Sequence, residues 1–182
     1  MSVVVAVAQG ETVWMGSDSQ TTGNVKYVTA PKVWKVGEII YGIAGTVESC
    51  CAIQNLSKLP GSVINARSGG ETKDDVDLER WVYHSVLSRV REGISKAEVS
   101  EPSFNLLVGL RGRLFVVEEN SVFEVMRPYA AIGSAEQIAY GALYVKMNSR
   151  GVKLSPQKVV LQAIDACNEH SPDCGKPVVV RS

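Results

Sequence analysis

Apolar residues in this chain change their spacing in blocks, and the order of those blocks limits the folds open to it. Residues 3–8 and 12–17 are two apolar runs separated by Gln9-Gly10-Glu11, which reads as a strand, a tight turn and a second strand. The stretch from Ser19 to Pro31 is rich in Thr, Gly and Asn and reads as a loop, with a short strand at Lys26-Tyr27-Val28. Lys32-Val33-Trp34-Lys35-Val36 alternates, Gly37-Glu38 turns the chain, and Ile39 to Ala44 forms another strand. At Gly45-Thr46 the period becomes helical. Thr46 suits an N-cap and Glu48 the first turn of a helix that runs to about Leu59, where Pro60-Gly61 stops it. Residues 61–75 carry no apolar period and read as a surface loop. A second helix is expected from Val76 to Ile94, with Leu78, Trp81, Val82, Ser85, Val86, Arg89 and Val90 on one side.

Strand spacing then returns. Phe104 to Leu110, Leu114 to Glu118 and Val122 to Met126 read as a meander with short turns, and Tyr129 to Ile132 leads into Gly133-Ser134. Helices follow from Ala135 to about Asn148 and, opened by Ser155-Pro156, to about Glu169; Pro177 to Val180 is a closing strand. Strands and helices thus come in blocks rather than in βαβ alternation. That excludes a doubly wound parallel sheet and predicts an α+β fold of antiparallel sheets with helix layers outside. A length of 182 residues fits one domain spanning 1–182.

The chain carries 19 basic and 19 acidic residues, mixed along its length, so no basic face for nucleic acid is expected. The pairs Arg89 with Arg91 and Arg111 with Arg113 read as solvated surface. The start lacks a basic region before its apolar run, and no run approaches the roughly 20 residues of a membrane helix, so neither export nor a membrane partner is expected and the place of action reads as cytoplasmic. None of the four cysteines, Cys50, Cys51, Cys167 and Cys174, forms a C-x-x-C pair, and with two histidines in the chain neither zinc nor another cofactor is expected. His84 and His170 read as surface residues. There is no G-x-S-x-G elbow and no Walker loop. One other source of nucleophile remains. Removal of Met1 would leave Ser2 as the N-terminus, with a hydroxyl nucleophile beside its own α-amine, a base titrating at about 7.7–8.0.

Four further segments carry a resemblance that bears on that serine. The segment Met15-Gly16-Ser17-Asp18-Ser19-Gln20-Thr21-Thr22 ends the second strand, Lys32-Val33-Trp34-Lys35-Val36 starts with a lysine, Gly42-Ile43-Ala44-Gly45 precedes the first helix, and Ala131-Ile132-Gly133-Ser134 precedes the third. In these features, over essentially the whole chain, the sequence resembles the proteasome β-subunit family and its bacterial relative HslV, the N-terminal nucleophile hydrolases. Counting back from Asp18 puts Ser2 where the family has its N-terminal threonine.

The resemblance implies a four-layer αββα sandwich and a peptidase whose Ser2 attacks the substrate carbonyl. It implies that Asp18 holds Lys32, that Lys32 lowers the pKa of the amine and assists proton transfer, that the Gly45 N–H forms the oxyanion hole, and that Ser134 bonds the amine. Taken singly, Asp18 also reads as a turn residue, Lys32 as a strand-edge lysine, and Gly45 and Ser134 as caps. The family further implies peptide or unfolded-protein substrates, a homo-oligomeric ring and an ATP-dependent unfoldase as partner. Two departures stand out. Serine lacks the methyl that fixes the threonine rotamer. Near the end of the last helix, where the family has an aspartate and a serine before a glycine, anchoring on Gly175 aligns Ser171 and Cys174, while Glu169 or Asp173 fits with a small shift. Two rival readings are an inactive ring-forming scaffold that retains Met1 and a small-molecule amidase or acylase on the same architecture.

Overall fold

The computed structural model describes residues 2–22, 26–28, 31–63, 77–149, 154–176 and 178–182. Met1 and most of the expected loop at 61–75 lie outside the described residues. The elements are β1 (Val3–Gln9), β2 (Thr12–Ser17), β3 (Gln20–Thr22), β4 (Lys26–Val28), β5 (Val33–Val36), β6 (Ile39–Gly45), α1 (Val47–Leu56), α2 (Leu78–Trp81), a π-helical turn (Val82–Leu87), α3 (Ser88–Lys96), β7 (Phe104–Leu110), β8 (Arg113–Val117), β9 (Val122–Glu124), β10 (Tyr129–Gly133), α4 (Glu136–Asn148), α5 (Pro156–His170) and β11 (Val179–Arg181).

One antiparallel sheet has the order β10-β1-β2-β11 and a second the order β5-β6-β7-β8-β9, with β3 and β4 as a separate small hairpin. Strand alternation assigns the layers. On β1, Val3, Val5 and Val7 pack with α4 and α5, while Val4, Ala6 and Ala8 face the other sheet. On β6, Ile39, Tyr41 and Ile43 pack with residues of α1, α2, the π turn and α3, while Ile40 and Ala44 face back across the sandwich. The result is the expected αββα sandwich, with three apolar layers between four layers of backbone. The inter-sheet layer is thin at Gly42, where an added Cβ would stand 2.5 Å from Val4 Cγ1 and 2.6 Å from Met15 Sδ.

The helices differ from expectation in three places. α1 stops at Leu56, earlier than the proline alone would require, because Ser57 turns to an extended conformation where it lies against Gly93 of α3. The expected second helix is interrupted by the π turn, which gathers Val82, Val86 and Leu87 into the core together. Residues four and five positions apart face one way only in such a widened turn. Arg89, on the apolar side by helical count but read as solvated surface, is exposed and paired with Glu92 at 2.9 Å. Finally, α4 starts after Ala135 without a side-chain cap, so Ser134 is not its N-cap. No described helix is long and apolar enough to cross a membrane.

Candidate active site

Strand pairing delivers the first residues of the chain to the end of β2. The β1–β2 register sets Val4 opposite Ser17, so Ser2 lies beside the segment that follows β2. Asp18 closes that segment onto the start of β1. Its Oδ1 accepts the Val3 N–H at 3.0 Å, and its Oδ2 accepts the Gln20 N–H at 3.0 Å. Lys32 arrives from the other sheet, immediately before β5, with its carbonyl taking the Ile43 N–H at 3.0 Å. Its ammonium donates to Asp18 Oδ1 at 3.0 Å and to the Gln20 carbonyl. Asp18 is fully buried, and Lys32 is 8% exposed. Burial pulls the Lys32 pKa down, and the Asp18 carboxylate opposes that shift.

The opposite wall comes from the β10–α4 turn. Ser134 N–H donates to the Ser2 carbonyl at 3.0 Å. Gly133, with φ of 104°, presses against that same carbonyl, and an added Cβ would run into it. The Cβ position of Gly133 is also 3.2 Å from Ala44 Cβ, which brings the end of β6 to this side of Ser2. Gly45 follows there, exposed, ahead of the Thr46 cap of α1. Ser2, Asp18, Lys32 and Ser134 are therefore joined through hydrogen bonds of their own or of their chain neighbours, and Gly45 stands at the rim. Ser2 itself is 5% exposed.

The segment after α5 completes the cluster. Ser19 N–H donates to the Gly175 carbonyl at 3.2 Å, and Gln20 Nε2 to the Pro172 carbonyl at 3.0 Å. This brings Cys174, which is buried, within electrostatic reach of the Asp18–Lys32 pair. Burial and then Asp18 push the Cys174 thiol up to about 11, while a hydrogen bond from Ser171 and the Lys32 charge act the other way. Of the four residues the sequence left open, Cys174 senses the charges of the pair, Ser171 bonds the Cys174 thiol, Asp173 is half-buried with its N–H on Ser171 Oγ, and Glu169 is exposed.

Sequence reasoning passed over three neighbours. Gln20 ties Lys32 to the tail. Cys50 on α1 lies near Lys32, its thiol pushed up to about 11 by burial. Ser17 is fully buried, and its hydroxyl has no hydrogen-bond partner among the described residues. For Ser17 a signal was present: it is polar in a strand phase otherwise held by Val13 and Met15. His84 and His170 are both exposed. No group of three or more His, Cys, Asp or Glu among the described residues could hold a metal ion.

No protein-family model matches the chain, and no curated protein matches it in sequence. Solved structures match along nearly its whole length. BPH from Thiobacillus denitrificans is 17% identical, with 98% of this chain and 96% of that one covered and a TM-score of 0.76; that protein is also solved in complex with epoxomicin. HslV from Trypanosoma brucei is 15% identical, covering 98% and 97%, with a TM-score of 0.67. A helical assembly of the Anbu complex from Pseudomonas aeruginosa is 16% identical, covering 98% and 80%, with a TM-score of 0.69. The likeness is one of fold: the chain adopts the proteasome-type N-terminal nucleophile hydrolase fold.

Proposed function

We propose that this protein is a proteasome-like peptidase subunit whose nucleophile is Ser2, freed by removal of Met1. The observation that carries the reading is the buried Asp18–Lys32 pair at 3.0 Å, whose shared carboxylate oxygen also takes the N–H of the residue next to Ser2. A buried ion pair costs desolvation and is a weak source of stability by itself, so its placement at the head of β1, next to Ser2, argues for chemistry.

In this reading the Ser2 α-amine takes the hydroxyl proton as Oγ attacks the carbonyl of a peptide. The cationic Lys32 favours the neutral amine by like-charge repulsion. The Gly45 N–H, at the foot of α1, receives the developing oxyanion, and Ser134 steadies the amine. Collapse of the tetrahedral adduct returns the proton to the leaving amine and leaves an ester on Ser2, which water hydrolyses to the free acid. Asp18 holds Lys32 and does not touch substrate. Peptides or unfolded chains are the substrates proposed, with a homo-oligomeric assembly, an ATP-dependent unfoldase as a candidate partner and the cytoplasm as the compartment.

The test is intact mass of the cell-expressed protein before and after treatment with epoxomicin. A ketone can take the hydroxyl and the adjacent epoxide the amine, so this reagent requires both groups on one residue. The expected result is a mass lacking one methionine and a single adduct that Ser2→Ala abolishes. A retained methionine with no adduct would instead support a catalytically inactive ring-forming subunit.

A further inference from the structure

We infer that Ser17 is a positioning residue for the nucleophile, an inference that rests on the reading of Ser2 given above. On β2, Val13 and Met15 face the inter-sheet layer and Trp14 faces α4 and α5, so alternation turns Ser17 into the inter-sheet layer. On β1, Val4 and Ala6 face the same layer, which puts the Ser2 side chain in that phase too. The register Val4↔Ser17 makes Ser2 the diagonal neighbour of Ser17 on one face of the sheet. Asp18, one residue on, holds the Lys32 ammonium at the same strand end. The Ser17 hydroxyl thus faces a layer of Val, Ala and Met at the head of β1, without a hydrogen-bond partner among the described residues.

An orphan hydroxyl at a fully buried position is costly, and an alanine there would match Ala6 and Ala8. The group that would repay a serine is the freed N-terminus, which gains N–H donors beside a hydroxyl that can also donate. At diagonal spacing the contact is direct or crosses one bridging water. Either way it restricts the Ser2 side chain. That restraint matters here because serine lacks the methyl group that limits a threonine rotamer. Ser17 on this account compensates for a serine nucleophile.

The test measures the rate of epoxomicin adduct formation by intact mass across a pH series, alongside thermal midpoints, for the wild type, Ser17→Ala and Ser17→Thr. Ser17→Ala should react more slowly by about five- to ten-fold, the worth of one hydrogen bond, with a displaced pH midpoint and an undiminished thermal midpoint. Ser17→Thr, which keeps the hydroxyl, should react faster than Ser17→Ala and return the pH midpoint toward wild type. A wild-type rate and pH midpoint in Ser17→Ala would overturn the inference, as would a change confined to thermal stability. Failure of the wild type itself to form an adduct would be a different result, since it removes the Ser2 reading on which this one stands.

Discussion

Tyr41 shows how a single side chain can tie the first helix layer to the sheet beneath it. It is fully buried in β6, stacks on Trp34 at 5.8 Å between centroids, and donates its hydroxyl to the Pro60 carbonyl at 2.7 Å. Burial pushes its pKa well above the ordinary 10.0. A folded-state pKa above the unfolded one means that Tyr41 contributes stability in full below about pH 10 and loses it as pH rises toward the folded value. Tyr41→Phe should therefore cost about 1 kcal/mol at neutral pH, through the unpaired Pro60 carbonyl, and should flatten the alkaline decline in stability. Urea melts at pH 7 and near pH 10.5 would check both halves; an equal alkaline decline in the two proteins would count against this account. At the candidate site, Asp18 and Lys32 were legible only through the family resemblance; taken singly they read as a turn residue and a strand-edge lysine. Ser17 was visible only as an odd polar residue in an apolar phase, and its lack of a partner is a property of the packed interior.

The elements follow the sequence closely where the signal is local. Thr46 caps α1 as expected, its Oγ1 accepting the Ser49 N–H at 3.4 Å and donating to Ser49 Oγ at 2.9 Å. Ser155 and Pro156 open α5 in the same manner. Strand ends agree to within a residue or two because turn residues such as Arg111-Gly112 punctuate them locally. The π turn at Val82–Leu87 is another matter: Val82, Val86 and Val90 satisfy a regular helix, and only the fit to the five-stranded sheet draws Leu87 in. Between the sheets the close approach at Gly42 makes a sharp prediction. Gly42→Ala should destabilise the fold by about 1–3 kcal/mol, because its Cβ meets Val4 and Met15 in a layer with no room to yield. Pairing it with Met15→Ala should recover part of the loss, which a double-mutant cycle in urea would detect; additive losses would mean that the clash lies elsewhere.

At the scale of the molecule, the sandwich leaves apolar side chains outside its own layers. Tyr144 and Val145 on α4 are 57% and 61% exposed, and Met147 follows them. A proteasome-like subunit is expected to self-associate, and sedimentation velocity at micromolar concentration should find a closed oligomer rather than a monomer. A small, open species without peptidase activity would argue for the amidase reading instead. The link from activity to assembly is also checkable: epoxomicin labelling of isolated oligomer and monomer fractions should favour the oligomer if the assembled form is the working one.

The sequence by itself determined the kind and order of the elements, because apolar period, caps and turn residues act over a few neighbours and need no knowledge of the rest. It also carried the candidate roles of Ser2, Asp18, Lys32, Gly45 and Ser134, since a resemblance spread over many spacings points to several positions at once. Only the tertiary structure decided that Cys174, rather than Glu169 or Asp173, comes within electrostatic reach of the Asp18–Lys32 pair, that a π turn interrupts the second helix, and that Ser17 stands diagonal to Ser2. Each of these depends on contacts between segments distant in the chain, where burial and register, not local spacing, choose which side chain faces which.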